Sequence, residues 1–504
     1  MPDEGSVATL EATDEVAERQ QTNSLASTSG GRASGQDFIA LGVDDRLTMR
    51  LKEMGVTEPT EVQREAIPRA MAGSSLAIQC YTGSGKTLAY MLPVLSLALR
   101  KAEAEFEQLA NMGKAYTAGT LQAVVVAPSR ELAMQIVRVG QAILPNEARG
   151  CVQQAIGGAN PKRQAEAIKA NKPLVIVGTP GRLAELSRDG TLQSHHTNML
   201  VLDEVDQLLA VQFREDMVRI VEQVGRKARG PRQTLLVSAT LNDKVLQQCQ
   251  RWCPNPERLF TSIGPKIHQP APAAPSESSA PGGAPAGHFR GWDDLKFAGG
   301  DVLNPATRSS AGGFAGTSNA PMMPPTLEHG WLPVDRRHRV DTLRRVIHSL
   351  NSQRALVFMN FGQRLKDTVF KLTANGMTCA ALSGDMDKAQ RQNTLRRFQQ
   401  GDFRALVVSD VAARGLDIAE CDAVINLELP SDASHYAHRA GRTGRAGRKG
   451  VVVTLVEKPE EFVLGKLSRG LGVAIPELKM REGMVAPVDS PEWTDSGPEA
   501  TEEG

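Results

Sequence analysis

Leu76-Ala77-Ile78-Gln79-Cys80-Tyr81-Thr82-Gly83-Ser84-Gly85-Lys86-Thr87-Leu88-Ala89-Tyr90-Met91-Leu92 starts as an apolar strand, passes through a glycine loop and ends in a helical pattern. Strand, glycine turn and helix in that order are the setting a phosphate-binding loop requires. Glycine lets successive backbone N–H groups close on phosphate oxygens, and the following helix adds the positive end of its dipole. On this reading Thr82, Gly83, Ser84 and Gly85 line a triphosphate, Lys86 supplies a point charge, and Thr87 offers its hydroxyl to Mg2+. Cys80 stands at the loop's usual first glycine, a modest departure.

Working outward, apolar runs at Ala123–Ala127, Leu174–Val177, Met199–Leu202 and Thr234–Val237 alternate with helical patterns. Unbroken runs of this kind suit strands buried on both faces of a parallel sheet. A second alternating region carries runs at Ala355–Phe358, Ala405–Val408 and Val451–Leu455. The chain has 504 residues, and single cores stop growing near ~250–300. Two α/β parallel-sheet domains in tandem are therefore expected, at 37–262 and 327–486. Residues 263–326, rich in Pro, Ala, Gly and Ser, read as a long flexible linker or insertion. Residues 1–36 and 487–504 are polar and acidic, with too little apolar surface to order themselves. The charged, helix-prone stretch Arg100–Gln108 reads as a surface excursion before the strand at Ala123.

A formal net charge of +1 neither argues for nor excludes a nucleic-acid partner, since balanced totals can hide a basic groove. Of six cysteines only Cys249 and Cys253 are close, without a second pair to complete a metal site, so reduced thiols are expected. No apolar run reaches the ~18–20 residues that span a bilayer, which excludes a transmembrane helix and makes a membrane partner unexpected. The N-terminus carries Asp3, Glu4, Glu11, Asp14, Glu15 and Glu18 before Arg19, the reverse of an arginine-rich transit peptide. Cytoplasm is the first expectation for location and plastid the second.

A phosphate loop needs an acidic partner for its metal, and Val201-Leu202-Asp203-Glu204-Val205-Asp206 supplies one at the end of a buried run. Asp203 would hold Mg2+ and Glu204 would polarise the attacking water.

In order, these segments resemble a DEAD-box RNA helicase from Phe38 to about Leu478, with Asp203-Glu204-Val205-Asp206 in the place of the name-giving tetrad. The resemblance implies two RecA-like domains, ATP and Mg2+ as cofactors, RNA as partner, and a monomer. Thr57–Gln63, with Phe38 upstream, is similar to the family's adenine-reading segment, so Phe38 and Gln63 are expected at the nucleotide; Val56 replaces its usual aromatic. Pro128-Ser129-Arg130, Gly157-Gly158 and Thr179-Pro180-Gly181-Arg182 resemble the RNA-contacting segments of the first domain. They imply RNA contacts by Pro128, Arg130, Gly158, Thr179 and Arg182.

Ser238-Ala239-Thr240 resembles the segment that couples the ATP site to strand separation, with Asp206, Ser238, Thr240 and His438 as coupling residues. In the second region, Ser409–Asp417 resembles a segment whose Ser409 touches RNA and whose Gly415 and Asp417 touch nucleotide. Ser383–Met386 with Arg391 is similar to another RNA-facing segment, implying contacts by Gly384 and Arg391, with Lys388 where glutamine is common. His438–Arg445 resembles the arginine-finger segment, so Arg442 and Arg445 join Lys86, Asp203 and Glu204 as expected catalytic residues. The implied activity is RNA-stimulated ATP hydrolysis coupled to local, sequence-independent unwinding. A second reading is an ATP-gated clamp or scaffold that recruits proteins through its tails or insertion, and a third is a DNA-directed helicase.

Overall fold

The computed structural model describes residues 37–111, 120–260, 323–324, 326–413, 421–445, 448–481 and 483–488. The segment 1–36, nearly all of 263–326, the end of the C-terminal tail, Gly415 and Asp417 lie outside the described residues.

Seven strands make the first sheet: β1 (Leu76–Gln79), β2 (Ala123–Val126), β3 (Val152–Ala155), β4 (Val175–Gly178), β5 (Met199–Asp203), β6 (Gln233–Ser238) and β7 (Glu257–Phe260). They are all parallel, in the order β3-β4-β2-β5-β6-β1-β7. Six more make the second: β8 (Leu327–Pro333), β9 (Ala355–Met359), β10 (Cys379–Leu382), β11 (Ala405–Ser409), β12 (Ala423–Asn426) and β13 (Gly450–Val456). These too are parallel, in the order β10-β11-β9-β12-β13-β8. Counted from the first strand of each sheet, both follow one order, 3-4-2-5-6-1. The chain thus contains the same fold twice.

The apolar runs have a plain cause. Val125, Val201 and Val237 enter one core cluster, while their neighbours Val124, Leu200 and Leu236 enter another on the opposite face. In the second sheet Leu356 and Phe358 are divided from Val357 and Met359 in the same way. Helices cover both faces, so successive strand residues are all buried and no polar alternation survives. Beyond the second sheet, Leu478–Arg481 and Met484–Pro487 form an antiparallel hairpin whose Leu478 packs on Gly330; a Cβ at Gly330 would come within 2.5 Å of it. Arg100–Gln108 is not a separate excursion but the largely exposed end of one helix, Lys86–Asn111. The helix-forming residues Ala, Leu, Glu and Lys let it run on past the sheet.

The sheet order also sorts the candidate residues. The phosphate loop, Asp203 and Ser238 leave the carboxyl ends of β1, β5 and β6, three neighbouring strands. Arg130, Gly158 and Thr179 follow β2, β3 and β4, the other half of the same edge. Open α/β sheets bind ligands at this edge, and here two sets of chemistry divide it at the β2–β5 junction.

Candidate nucleotide and nucleic-acid site

The Lys86–Asn111 helix begins at Lys86 itself, so the loop's N–H groups sit at its positive end. Gly83 and Gly85 have φ of 91° and 89°, in the left-handed region where other residues are strained. Burial would lower the pKa of the Lys86 ammonium, but Asp203, with Cys80, Glu204 and Asp206, more than reverses this and raises it. Burial pushes the fully buried Asp203 carboxyl above its ordinary range, with Lys86 opposing.

Both oxygens of Asp203 are held: Oδ1 accepts the Glu204 N–H at 2.9 Å, and Oδ2 accepts the Tyr90 hydroxyl at 2.8 Å. Tyr90 is buried on the phosphate-loop helix, one turn after Thr87, and the sequence reading missed it. Its signal was only the i, i+3 spacing from Thr87. Glu204 adopts φ 48°, ψ 51°, a left-handed conformation costing about 1–3 kcal/mol in a residue with a Cβ. That bend lets it cap the short Val205–Leu208 helix while its Oε2 accepts from Gln207 Nε2 at 2.9 Å.

Asp206 collects the other strand ends. Its Oδ1 accepts from Ser238 Oγ at 2.6 Å and its Oδ2 from Thr240 Oγ1 at 2.5 Å. His438 of the second domain lies 3.7 Å from the same Oδ2. Burial lowers the His438 pKa to about 4, against the pull of Asp206, so its imidazole is neutral at pH 7.

The two domains meet at the phosphate loop. A Cβ built on Gly441 would fall 1.5 Å from Thr82 Oγ1, and one on Gly83 would fall 3.2 Å from Arg445 Cγ. Arg445 Nε donates to the Gly441 carbonyl at 3.1 Å, and Arg442 is buried beside it. Arg439, between His438 and these arginines, was not singled out by the sequence reading. It is 1% exposed and donates to both oxygens of Asp410 at 2.6 Å, to Asn426, to the Glu428 carbonyl and to Asn360. It therefore ties the ends of β9, β11 and β12 together behind the site.

On the other half of the edge, the Arg130 guanidinium fills the space at Gly157-Gly158, where a Cβ on Gly158 would lie 2.4 Å from Nη1. Pro128 leads from β2 into this arginine, and Thr179 precedes the Pro180–Arg188 helix. A cavity of about 400 Å³ lies between the domains, lined among others by Arg130, Gly158, Gly384, Met386 and Arg391. Arg391 reaches across to Glu131 at 3.1 Å.

Four of the expected residues already have neighbours within the protein. Phe38 is buried in the first core, 1% exposed, and packs there. Gln63 accepts from the Thr60 N–H at 3.0 Å and donates to the Gly85 carbonyl at 3.0 Å, so its amide braces the phosphate loop. Arg182 is buried, paired with Glu185 at 2.7 Å, and does not present a cation to solvent. Ser409 is buried and its hydroxyl accepts the Ala412 N–H. Gln63, Arg182 and Ser409 thus each have a protein partner close in the fold, and Phe38 lies in the core.

A family model described as DEAD/DEAH box helicase matches residues 60–249, and one described as Helicase conserved C-terminal domain matches 338–447. The chain belongs to the DEAD-box helicases. It is 43% identical over 450 residues to the protein named DEAD-box ATP-dependent RNA helicase 47, mitochondrial, of Arabidopsis thaliana, covering 87% of this chain and 76% of that one. It is 45% identical over 468 residues to helicase 47B of Oryza sativa subsp. japonica, covering 89% and 76%. Among solved folds it resembles S. cerevisiae Dbp5 bound to RNA and ADP BeF3, at TM-score 0.65 and 22% identity over 88% of this chain and 95% of that one. This DEAD-box chain also superposes on Mss116p bound to ssRNA and AMP-PNP, at TM-score 0.66 and 20% identity over 90% and 82%. These likenesses carry the fold: two RecA-like domains.

Proposed function

We propose that this DEAD-box protein is an RNA-stimulated ATPase that separates short RNA duplexes locally. The observation that supports this most is the shared half-site: Arg445 and Gly441 of the second domain seat against Gly83 and Thr82 of the phosphate loop. The phosphate loop and Lys86 bind the β- and γ-phosphates of ATP. Glu204 orients the attacking water, and Arg442 and Arg445 stabilise charge that grows on the transferred phosphoryl group, which they reach only with the domains together.

Asp203 and the Thr87 hydroxyl would hold Mg2+. The Asp203 carboxylate, close enough to Lys86 for each to shift the other, and flanked by Glu204, offers oxygen donors that suit a hard divalent cation. Mg2+ in phosphoryl-transfer sites is commonly held by one or two carboxylates together with substrate phosphates, and Asp203 would be that carboxylate here. When bound, Mg2+ neutralises phosphate charge.

RNA lies along the cavity between Arg130–Gly158 and Gly384–Arg391, contacted at its backbone. Asp206 with Ser238, Thr240 and His438 joins this closure to the state of the nucleotide. The name of the Arabidopsis relative favours an organelle over the cytoplasm expected from the acidic N-terminus; imaging of a fluorescent fusion checks the compartment. The activity test is release of a short labelled RNA strand. ATP with Mg2+ should accelerate it, a DNA duplex should remain paired, and a lasting RNA complex without strand release would favour the clamp.

A further inference from the structure

Phe361 is 72% exposed although it is an aromatic residue in the middle of a folded domain. Other exposed aromatics exist, such as Phe370 and Phe462, so exposure alone decides nothing. Its place does. Leu382, Val408 and Phe358 are in register across β10, β11 and β9, so Gly384, Ser409 and Phe361 leave one sheet edge side by side.

By the shared strand order, β9 stands in the second sheet where β2 stands in the first. The loop after β2 carries Arg130, which lines the cavity between the domains; the loop after β9 carries Phe361. The mount is rigid. Asn360 donates its N–H to Glu428 Oε2 at 2.7 Å and its Nδ2 to the Leu429 carbonyl at 3.0 Å, and accepts from the buried Arg439 at 2.7 Å. Phe361 itself is extended, φ −121° and ψ 135°, immediately before the short Gly362–Arg364 turn. The residue before Phe361 is thus anchored to its neighbours, while the Phe361 ring itself stands open to a flat partner.

We propose that Phe361 is a stacking platform for one base of the bound RNA strand, a base contact added to a path otherwise made of backbone contacts. This rests on the RNA-helicase reading above. Base–aromatic stacking is sequence-tolerant because every base has a π-face, so it adds affinity without a sequence code.

The test uses the full chain and a short labelled single-stranded RNA with ATP analogue and Mg2+. Phe361→Ala should weaken binding by about tenfold, while Phe361→Trp should match or exceed the wild type. Removing no cation, Phe361→Ala should leave the salt dependence of binding unchanged. When abasic ribose is walked along the strand, one position should abolish the difference between wild type and Phe361→Ala. A 2-aminopurine at that position should be quenched by the wild type and not by the variant. Equal affinity of Phe361→Ala and wild type for intact RNA would overturn the assignment, as would a loss of the same size at every abasic position. Failure of the wild type to bind RNA at all would sink the helicase reading instead, so the two failures are distinct.

Discussion

Glu131 Oε1 and Arg391 Nη1 lie 3.1 Å apart across the gap between the two domains. Both side chains are mostly buried, so the pair is screened less than a surface bridge, and it borders the cavity assigned to RNA. Glu131→Arg sets two cations against each other and should raise the RNA concentration for half-maximal ATPase stimulation about tenfold. The exchange Glu131→Arg with Arg391→Glu restores the attraction but moves the cation to the other wall. If Arg391 also meets phosphate, the double variant should recover domain contact by domain–domain FRET without recovering RNA affinity. Full recovery of both would reduce Arg391 to a strut.

Glu204 is held in a left-handed conformation with its carboxylate fixed by Gln207. Glu204→Gln keeps shape and removes the base, and general-base action contributes about 10²–10⁴-fold. Hydrolysis should fall within that range while ATP and RNA remain bound, read by single-turnover kinetics and filter binding. Undiminished hydrolysis would remove Glu204 from the chemistry.

Gly441 has no room for a side chain, since a Cβ would overlap Thr82 Oγ1 at 1.5 Å. Gly441→Ala should hold the domains apart and cut RNA-stimulated turnover at least a hundredfold. Binding of a fluorescent ATP analogue, made mainly by the first domain, should change much less. A variant with normal turnover would show that the domains work without this contact.

His329 shares a 3.0 Å hydrogen bond with Tyr436 beneath the His438 helix, and burial lowers its pKa from 6.5 to about 4. The folded state therefore favours the neutral ring, and between these values the unfolded chain binds more protons. Its contribution is complete above about pH 6.5 and is lost as pH falls toward 4. The melting temperature should drop over that window, and His329→Gln should flatten the drop. An identical acid profile in the variant would assign the sensitivity elsewhere.

Much of this was legible in the sequence because it is local. The runs at Val124, Val201 and Val237 announce doubly covered strands, and Gly83, Gly85 and Lys86 announce a phosphate loop wherever the chain folds. What stayed hidden depends on residues far apart. Arg439 reads as one more arginine in a glycine-rich stretch until Asp410 and Asn360 close around it. Tyr90 reads as core until Asp203, more than a hundred residues on, accepts its hydroxyl. Arg182 and Ser409 carry the groups expected to meet RNA, and only the folded chain shows that Glu185 pairs with the first and the Ala412 N–H donates to the second. Two tandem parallel-sheet domains were legible as well, but the order of strands within each sheet is not, because it depends on which distant strands pair.

Under the proposed mechanism the ATP site becomes competent when RNA draws Arg442 and Arg445 onto the phosphate loop. The most direct measurement is the steady-state rate of ATP hydrolysis by the purified protein with and without saturating single-stranded RNA. Hydrolysis should rise steeply with RNA, and the rise should be lost in Arg445→Ala. The same rate with and without RNA would contradict it.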